Sequence, residues 1–516
     1  MMNISVINRV AIGDALRRSA RKYPDKTAIV DGMNRITFAE LDRQCNQFAH
    51  YLLAQGLKKG DTVATICGNS LPFVIVMYGI AKAGLTWVPL NPGLSLEEKL
   101  YILHHSEAKL LVADEPFLQA AREDLLRVSP AFIMIPAEDA PFYQIYSEYS
   151  ADDPEVEITD REVAQIMYTS GTTGMPKGVM ISHLSVAFSA LSNIIELDIK
   201  PHCVQTVLMP LFHCAQHTFL QTFVTIGGTS IILKRFEPES LMRSIQEEKI
   251  TNMFALPMMY RMILAHPNRS SYDLSSLQSC LYAMAPMDQI TLETAIHELK
   301  ADFSLGTGQT EIYPATMIFK PEDQLRKFGS YWGTSTIMND TAVMDEKGNL
   351  LPPGQIGEIV HRGPNVMNGY LKNEEATEMS RAYGWHHTGD LGYFDEDGLM
   401  VFVDRKKDMI KTGGENVASI RVEQVMYLHK KVASAAVVGL PHEHWNEAVT
   451  AFVIPVPGES LTQEELLEHC KQHLAGFQIP KRVKIVEKLP MTTTGKIQKS
   501  ILREQYKHLY QISDDQ

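Results

Sequence analysis

The sequence predicts an α/β protein. A large N-terminal domain of layered βα subdomains, with a β-rich subdomain, is expected to precede a small α+β C-terminal domain. Three observations carry this. Strand and helix patterns alternate through the first part of the chain, which implies a mostly parallel sheet covered by helices. From about residue 330 the texture changes to short strands and turns, the mark of a β-rich piece. A dense charge cluster, Asp404-Arg405-Lys406-Lys407-Asp408, then follows a strand pattern, and the ~110 residues beyond it suffice for a small domain. At 516 residues the chain is too long for one hydrophobic core.

Each element has its own signal. Thr37-Phe38-Ala39-Glu40 is a capping box that opens a helix running toward Gly56. Residues 61–67 read as a strand, 71–83 as a helix and 86–90 as extended chain. Ser95-Leu96-Glu97-Glu98 starts a further helix, and 109–114 is again a strand. The apolar run 163–168 reads as a buried strand, and a second βα series has strands at 206–210, 230–233 and 252–256. Residues 354–360 belong to the β-rich part, and 434–439 and 448–454 are strands of the C-terminal domain.

Composition narrows the function. The net charge of -13 argues against a nucleic-acid partner, which would need a basic surface. The six cysteines include no Cys-x-x-Cys pair, so neither a zinc site nor a dithiol redox site is expected. Scattered thiols fit a reducing, cytoplasmic setting. Met1 to Val6 lacks the charged start and apolar core of a signal peptide. The most apolar window, 71–90, contains Gly79, Lys82, Gly84 and Pro89, and no transmembrane segment is expected.

The most informative stretch is Tyr168-Thr169-Ser170-Gly171-Thr172-Thr173-Gly174-Met175-Pro176-Lys177-Gly178-Val179. Glycines let backbone amides approach a polyphosphate, hydroxyls donate hydrogen bonds, and Lys177 adds charge. A Walker A loop needs Gly-Lys followed by Ser or Thr, whereas here Pro176 precedes the lysine and Gly178 follows it. This is a phosphate loop of another kind.

The string resembles the phosphate loop of the adenylate-forming superfamily, which includes acyl-CoA synthetases, peptide-synthetase adenylation domains and luciferases. Further motifs follow in family order, so the resemblance covers nearly the whole chain. Gly306-Thr307-Gly308-Gln309-Thr310-Glu311 is Gly-rich and reads as a loop; there the resemblance implies that Gly308 and Gln309 line the ATP site, that Thr310 contacts the α-phosphate and that Glu311 binds Mg2+. Oxygen ligands suit that hard cation. Thr307 departs from the family, which usually carries an adenine-stacking tyrosine there. Trp385-His386-His387-Thr388-Gly389-Asp390-Leu391-Gly392 reads as holding Asp390 in a tight turn, and the resemblance assigns Asp390 and Arg405 to the ribose hydroxyls, both of which a carboxylate can accept. Lys496, in Thr492-Thr493-Thr494-Gly495-Lys496, matches the catalytic lysine. Gly413, Gly414 and Glu415 match the loop that enters the site for the CoA half-reaction.

Lys407 matches the family hinge. The resemblance thus implies an AMP-binding domain over 1–403, a hinge at 404–408 and a mobile C-terminal domain over 409–516. His213, in Pro210-Leu211-Phe212-His213-Cys214, would stand beside the acid's carboxylate, with Ala283, Met284, Ala285 and Pro286 forming a pocket wall. Amino-acid-activating relatives carry an Asp in this region to pair with the substrate ammonium, and its absence argues against amino-acid substrates.

The resulting expectation is an acyl-CoA ligase using ATP, Mg2+ and CoA on a medium- or long-chain fatty acid. It is expected to act as a monomer or homodimer, with small molecules as its partners. The alternatives are an aryl-CoA ligase, a stand-alone adenylation enzyme that loads a carrier protein, a luciferase-type oxygenase, and a non-catalytic nucleotide-binding homologue.

Overall fold

The structure is a computed structural model that describes residues 9–119, 122–128, 131–136, 139–169, 175–283, 287–491 and 497–510. It divides into two compact units. One comprises residues 1–341 and 361–386, the other 342–360 and 387–516. Residues 404–408 therefore lie inside the second unit.

Two sheets organise the first unit. One runs in the order Tyr331–Ser335, Ile312–Phe319, Asp302–Gln309, Ser279–Tyr282, Asn252–Ala255, Val204–Val207, Thr229–Ile232, Thr27–Asp31 and Asn34–Thr37. Its interior pairings are parallel and its flanks antiparallel. The other sheet is seven-stranded, from Gly369–Tyr370 through Lys177–Ser182, Val163–Thr169, Thr86–Pro89, Thr62–Ile66 and Leu110–Asp114 to Phe132–Ile135. The expected strands fall within a few residues of their predicted places.

Local chemistry explains the helices. Thr37 and Glu40 form a reciprocal capping box at the start of Phe38–Ala54, and Ser95 and Glu98 do the same for Leu96–His105. Leu71–Lys82 is buried on every side, which is why its sequence is apolar without periodicity. The main core joins this helix and Phe48 to residues of both sheets, including Ile29, Val63 and Val112.

Helix Leu71–Lys82 ends on a buried charge. Lys82 Nζ lies 2.8 Å from both Asp42 Oδ1 and Asp153 Oδ1. Gly13 leaves room for the lysine stem, since a Cβ there would come within 2.6 Å of it.

The second unit is built around a five-stranded sheet. Glu415–Val417, Ile410–Thr412, Asn446–Pro455 and Val432–His442 follow in order, and Arg482–Ile485 pairs with Asn446–Pro455. Both faces are covered. Val437 and Ala451 pack with Val422, Leu466 and Cys470, whereas Ala436, Val438 and Phe452 pack with Leu502. Double-sided burial accounts for the unbroken apolar run at 435–440.

Lys82→Ala leaves two carboxylates facing each other in a largely dry site. We expect a loss of about 3 kcal/mol, read as a lowered urea midpoint at pH 7. Burial opposes ionisation of Asp153, but hydrogen bonds from Lys82 and Arg17 outweigh it and hold the carboxyl below its ordinary value. Its contribution is therefore present above the unfolded carboxylate pKa, about 4, and is lost as pH falls through the lower folded value. The stability gap between wild type and Asp153→Asn should accordingly shrink with acidification below pH ~4.

Candidate active site

In the first unit the strands that flank the expected phosphate loop pair with each other. Strands Val163–Thr169 and Lys177–Ser182 are antiparallel, with Thr169 opposite Lys177. Ser170, Gly171, Thr172, Thr173 and Gly174 lie outside the described residues. The hairpin's base is fixed from behind, where the Tyr168 hydroxyl and His105 Nδ1 are 2.8 Å apart. Gly178 gives the Tyr168 ring its place, because a Cβ there would sit 3.0 Å from it.

Gly306 to Gln309 form the end of strand Asp302–Gln309, where the sequence suggested a loop. Two glycines are tolerated here because neighbours come close. A Cβ on Gly308 would meet Pro314 at 2.7 Å, and Gly306 lies under Leu281. The strand turns through Thr310 and Glu311 into Ile312–Phe319. Thr307 carries a buried Oγ1 that has no hydrogen-bond partner among the described residues.

Glu311 is the meeting point. Its Oε1 accepts hydrogen bonds from Thr169 Oγ1 at 3.4 Å and from the Tyr370 hydroxyl at 3.1 Å. Lys177 Nζ stands 4.9 Å from the centre of the Tyr370 ring, within cation–π range. Two residues two hundred positions apart, Thr169 and Tyr370, thus meet on one carboxylate, with Lys177 over the Tyr370 ring. Among the described residues no group of three or more His, Cys, Asp or Glu side chains is placed to hold a metal. One carboxylate ringed by hydroxyls fits magnesium, which takes one or two carboxylates and completes its shell with phosphates and water.

His213 caps helix Cys214–Ile226, accepting the Ala215 N–H on Nδ1 at 3.3 Å. Cys214 Sγ lies 3.6 Å from Thr310 Oγ1 and 3.7 Å from His213 Nδ1. Burial pushes this thiol up, but His213 and Thr310 outweigh it and leave the thiol below its ordinary value. So Thr310 and His213, predicted to flank the reacting atoms, are joined through one sulfur. One turn further, His217 hydrogen-bonds Tyr313 through Nδ1, and burial lowers its pKa to about 3, so it is neutral. Ala283 packs against a cluster containing Met209, Phe219 and Phe254, whose rings stack at 5.3 Å. Met284, Ala285 and Pro286 lie outside the described residues.

The remaining predicted residues belong to the second unit. Asp390 was expected in a tight turn, but it sits in strand His386–Phe394, directly opposite Arg405 on Met400–Arg405. Strand pairing brings the two predicted ribose contacts together, with Arg405 Nε 3.5 Å from Asp390 Oδ1. Only Gly389, at φ 72°, keeps the turn-like conformation, and Glu358 Oε1 accepts its N–H at 3.0 Å. Gly413 and Gly414, at φ 59° and 87°, make the two-residue turn between Ile410–Thr412 and Glu415–Val417. Glu415 is exposed beside them, and Lys407 is exposed in the turn after Arg405. Lys496 lies outside the described residues.

Sequence reasoning missed Tyr370, Cys214 and Glu358. Each acts through a contact formed by folding, and no local pattern marks it.

The comparisons with known proteins agree with this arrangement. The family model described as AMP-binding enzyme matches residues 16–371, and that of the AMP-binding enzyme C-terminal domain matches 421–496. The chain belongs to the AMP-binding enzyme family. This AMP-binding enzyme is 35% identical over 495 residues to a feruloyl-CoA synthase of an Amycolatopsis species, covering 95% of this chain and 98% of the relative. It is 33% identical to a 2-succinylbenzoate–CoA ligase of Bacillus licheniformis, covering 93% and 97%. The ATP-bound MatB of Rhodopseudomonas palustris superposes with a TM-score of 0.88 at 27% identity, covering 97% and 100%. The o-succinylbenzoate CoA synthetase of Bacillus subtilis, in complex with ATP and magnesium ion, superposes with a TM-score of 0.85 at 29% identity, covering 95% and 98%. Its place in the adenylate-forming superfamily and its two-part α/β fold are thereby established. Among the described residues no helix is long and apolar enough to cross a membrane.

Tyr370→Phe removes one hydrogen bond to Glu311 and keeps the ring beneath Lys177. We expect the family's adenylation rate to fall about five- to thirtyfold with an unchanged thermal midpoint, measured by single-turnover pyrophosphate release.

Proposed function

We propose that this chain is an ATP-dependent acyl-CoA ligase acting on an apolar monocarboxylic acid, of the medium- or long-chain fatty type. The observation that carries the reading is the meeting of Thr169 and Tyr370 on Glu311, with Lys177 over the Tyr370 ring. That group combines a cation, hydroxyl donors and a metal-competent carboxylate next to a glycine-rich loop, as a triphosphate requires.

The reaction has two steps. A carboxylate oxygen of the acid bonds to the α-phosphorus of ATP as the bridging P–O bond breaks, and pyrophosphate leaves. The CoA sulfur then attacks the acyl carbonyl, its proton is lost, and AMP departs with the carboxylate-derived oxygen. Holding both reactants in one cleft removes much of the entropic barrier.

In this reading Thr169, Lys177 and loop 170–174 hold the outgoing β- and γ-phosphates. Thr310 contacts the α-phosphate, and Gly308 and Gln309 line the nucleotide. Glu311 would hold magnesium, which would supply charge neutralisation for the phosphates. Asp390 and Arg405 take the ribose hydroxyls. Lys496 offsets charge as carboxylate and phosphate approach.

His213 orients the carboxylate. Its Nδ1 accepts the Ala215 amide, which leaves Nε2 as the ring nitrogen that can donate. The apolar cluster that contains Ala283, Phe219 and Phe254 suits an apolar acyl group. For the second step, residues 409–516 rotate about the 404–408 segment at Lys407, and the Gly413-Gly414-Glu415 turn approaches the pantetheine chain. The six cysteines are all free and buried, in keeping with a cytoplasmic enzyme.

A second reading keeps the chemistry and changes the acid. The similarity to a feruloyl-CoA synthase and a succinylbenzoate–CoA ligase favours an aryl acid, and the stacked Phe219 and Phe254 would suit a ring.

Pyrophosphate release over acids from acetate to palmitate, with benzoate and cinnamate types, separates the two. The primary reading predicts the highest kcat/KM with an alkyl acid of medium or long chain; a maximum on cinnamates selects the second. AMP formation should depend on CoA, and formation only with a carrier protein would overturn the acceptor. Lys496→Ala should abolish most pyrophosphate release while sparing thioester formation from supplied acyl-adenylate, and normal release would sink its role.

A further inference from the structure

One buried polar pair in the first unit has no place in the roles above. His217 lies on helix Cys214–Ile226, one turn after His213, and its amide donates to the His213 carbonyl at 3.1 Å. Tyr313 lies on strand Ile312–Phe319, two residues after Glu311. Both are buried, and the Tyr313 hydroxyl is hydrogen-bonded to His217 Nδ1. The centre of the same imidazole lies 5.0 Å from that of the Trp87 ring. Trp87 belongs to strand Thr86–Pro89, which pairs with strand Val163–Thr169 at Gln165. His217 thus meets both sheets of the unit from the helix that His213 caps.

The pair is a second tie beside one at the site itself. There Cys214 Sγ lies 3.6 Å from Thr310 Oγ1. His217 and Tyr313 repeat the connection three residues further along each segment. One tie fixes a distance, and two fix a rotation as well. Together they hold His213 at one setting against Thr310 and Glu311. The Tyr313 backbone is itself anchored, since its carbonyl accepts from Ser189 Oγ at 2.9 Å and from Asn365 Nδ2 at 3.0 Å.

Stability alone does not call for this pair. Both groups give up water, and two apolar side chains of like shape would fill the space at little or no cost. What the hydrogen bond adds is direction, because a satisfied buried polar pair specifies one arrangement of the core. Burial lowers the His217 pKa to about 3, so the ring stays neutral and the bond keeps one form near pH 7.

We propose that His217 and Tyr313 are positioning residues for adenylation, their hydrogen bond setting the helix that begins beside His213 against the turn that carries Thr310 and Glu311. The proposal rests on the ligase reading, in which the acid and the nucleotide are held by different elements. An error in their spacing is felt when the reacting atoms must align, and much less when each reactant binds. Its mark is a loss in kcat with KM little changed.

The test uses the full-length chain with the double substitution His217→Leu/Tyr313→Phe, which removes both polar groups and strands neither. Its thermal midpoint should stay close to that of wild type. Its kcat for pyrophosphate release should fall roughly tenfold, with KM for ATP and for the acid within about twofold. Tyr313→Phe alone leaves His217 Nδ1 without its partner and should lose a similar rate together with stability. His217→Asn keeps a polar group where Nδ1 stands and should retain most of kcat. Hydrogen exchange without substrate should be faster at 213–217 and 309–313 in the double variant than in wild type. A stable double variant with wild-type kcat, a loss confined to KM, or a His217→Asn rate as low as that of Tyr313→Phe would overturn the proposal. Wild-type protein that releases no pyrophosphate with any acid counts against the ligase reading. Unchanged exchange in the double variant would then overturn the tie on its own.

Discussion

A short strap at residues 365–371 makes the site of the first unit possible. On one side its backbone pairs with the turn that carries Glu311. Tyr313 donates to the Asn365 carbonyl at 2.9 Å, and Met367 donates to the Glu311 carbonyl at 2.9 Å. On the other side it pairs with the phosphate hairpin. Asn368 donates to Met180 and Leu371 to Gly178, both at 2.8 Å. The strap ties two parts of the chain that are remote in sequence, and Tyr370 delivers its hydroxyl from the strap to Glu311. Gly369 permits this course. Its φ of 138° disfavours a side chain, and a Cβ there would lie 2.7 Å from Thr377. Without backbone pairing on both edges, the strand pair Thr169 and Lys177 would not be tied to Glu311.

The second unit solves a related problem with buried polar groups. Strand pairing alone sets Asp390 against Arg405, and Glu358 fixes the neighbouring glycine. Asp404, one residue before Arg405, faces inward and is fully satisfied by Ser419 and its own neighbour. Alternation along one strand thus sets Arg405 against Asp390 and turns the Asp404 carboxylate inward. The same economy appears at His213, where one ring caps a helix and is left with a defined tautomer.

Much of this was legible in the sequence. The capping boxes at Thr37 and Ser95 and the strand at 163–168 are local signals, and they appear where local physics puts them. Glycines, hydroxyls and a lysine in one segment pointed to a polyphosphate, and the strands on either side of it pair as a hairpin. Asp390 was misplaced because a Gly-Asp pair ordinarily marks a turn, whereas its strand is set by pairing with 400–405, which no local window contains. Gly306 and Gly308 misled in the same way, since the room they provide is filled by Leu281 and Pro314 from elsewhere. Tyr370, Cys214 and Ser419 were silent. A tyrosine, a cysteine and a serine have no pattern of their own, and their roles arise from partners brought to them by the fold.

The central claim is that the acid is activated by forming a bond from its own oxygen to the α-phosphorus of ATP. Turnover with a carboxylic acid labelled with oxygen-18 in both carboxylate positions tests this most directly, with mass analysis of the nucleotide and phosphate products. The account predicts one labelled oxygen in AMP and none in pyrophosphate. Label in inorganic phosphate with ADP as the nucleotide product, or unlabelled AMP, would contradict it.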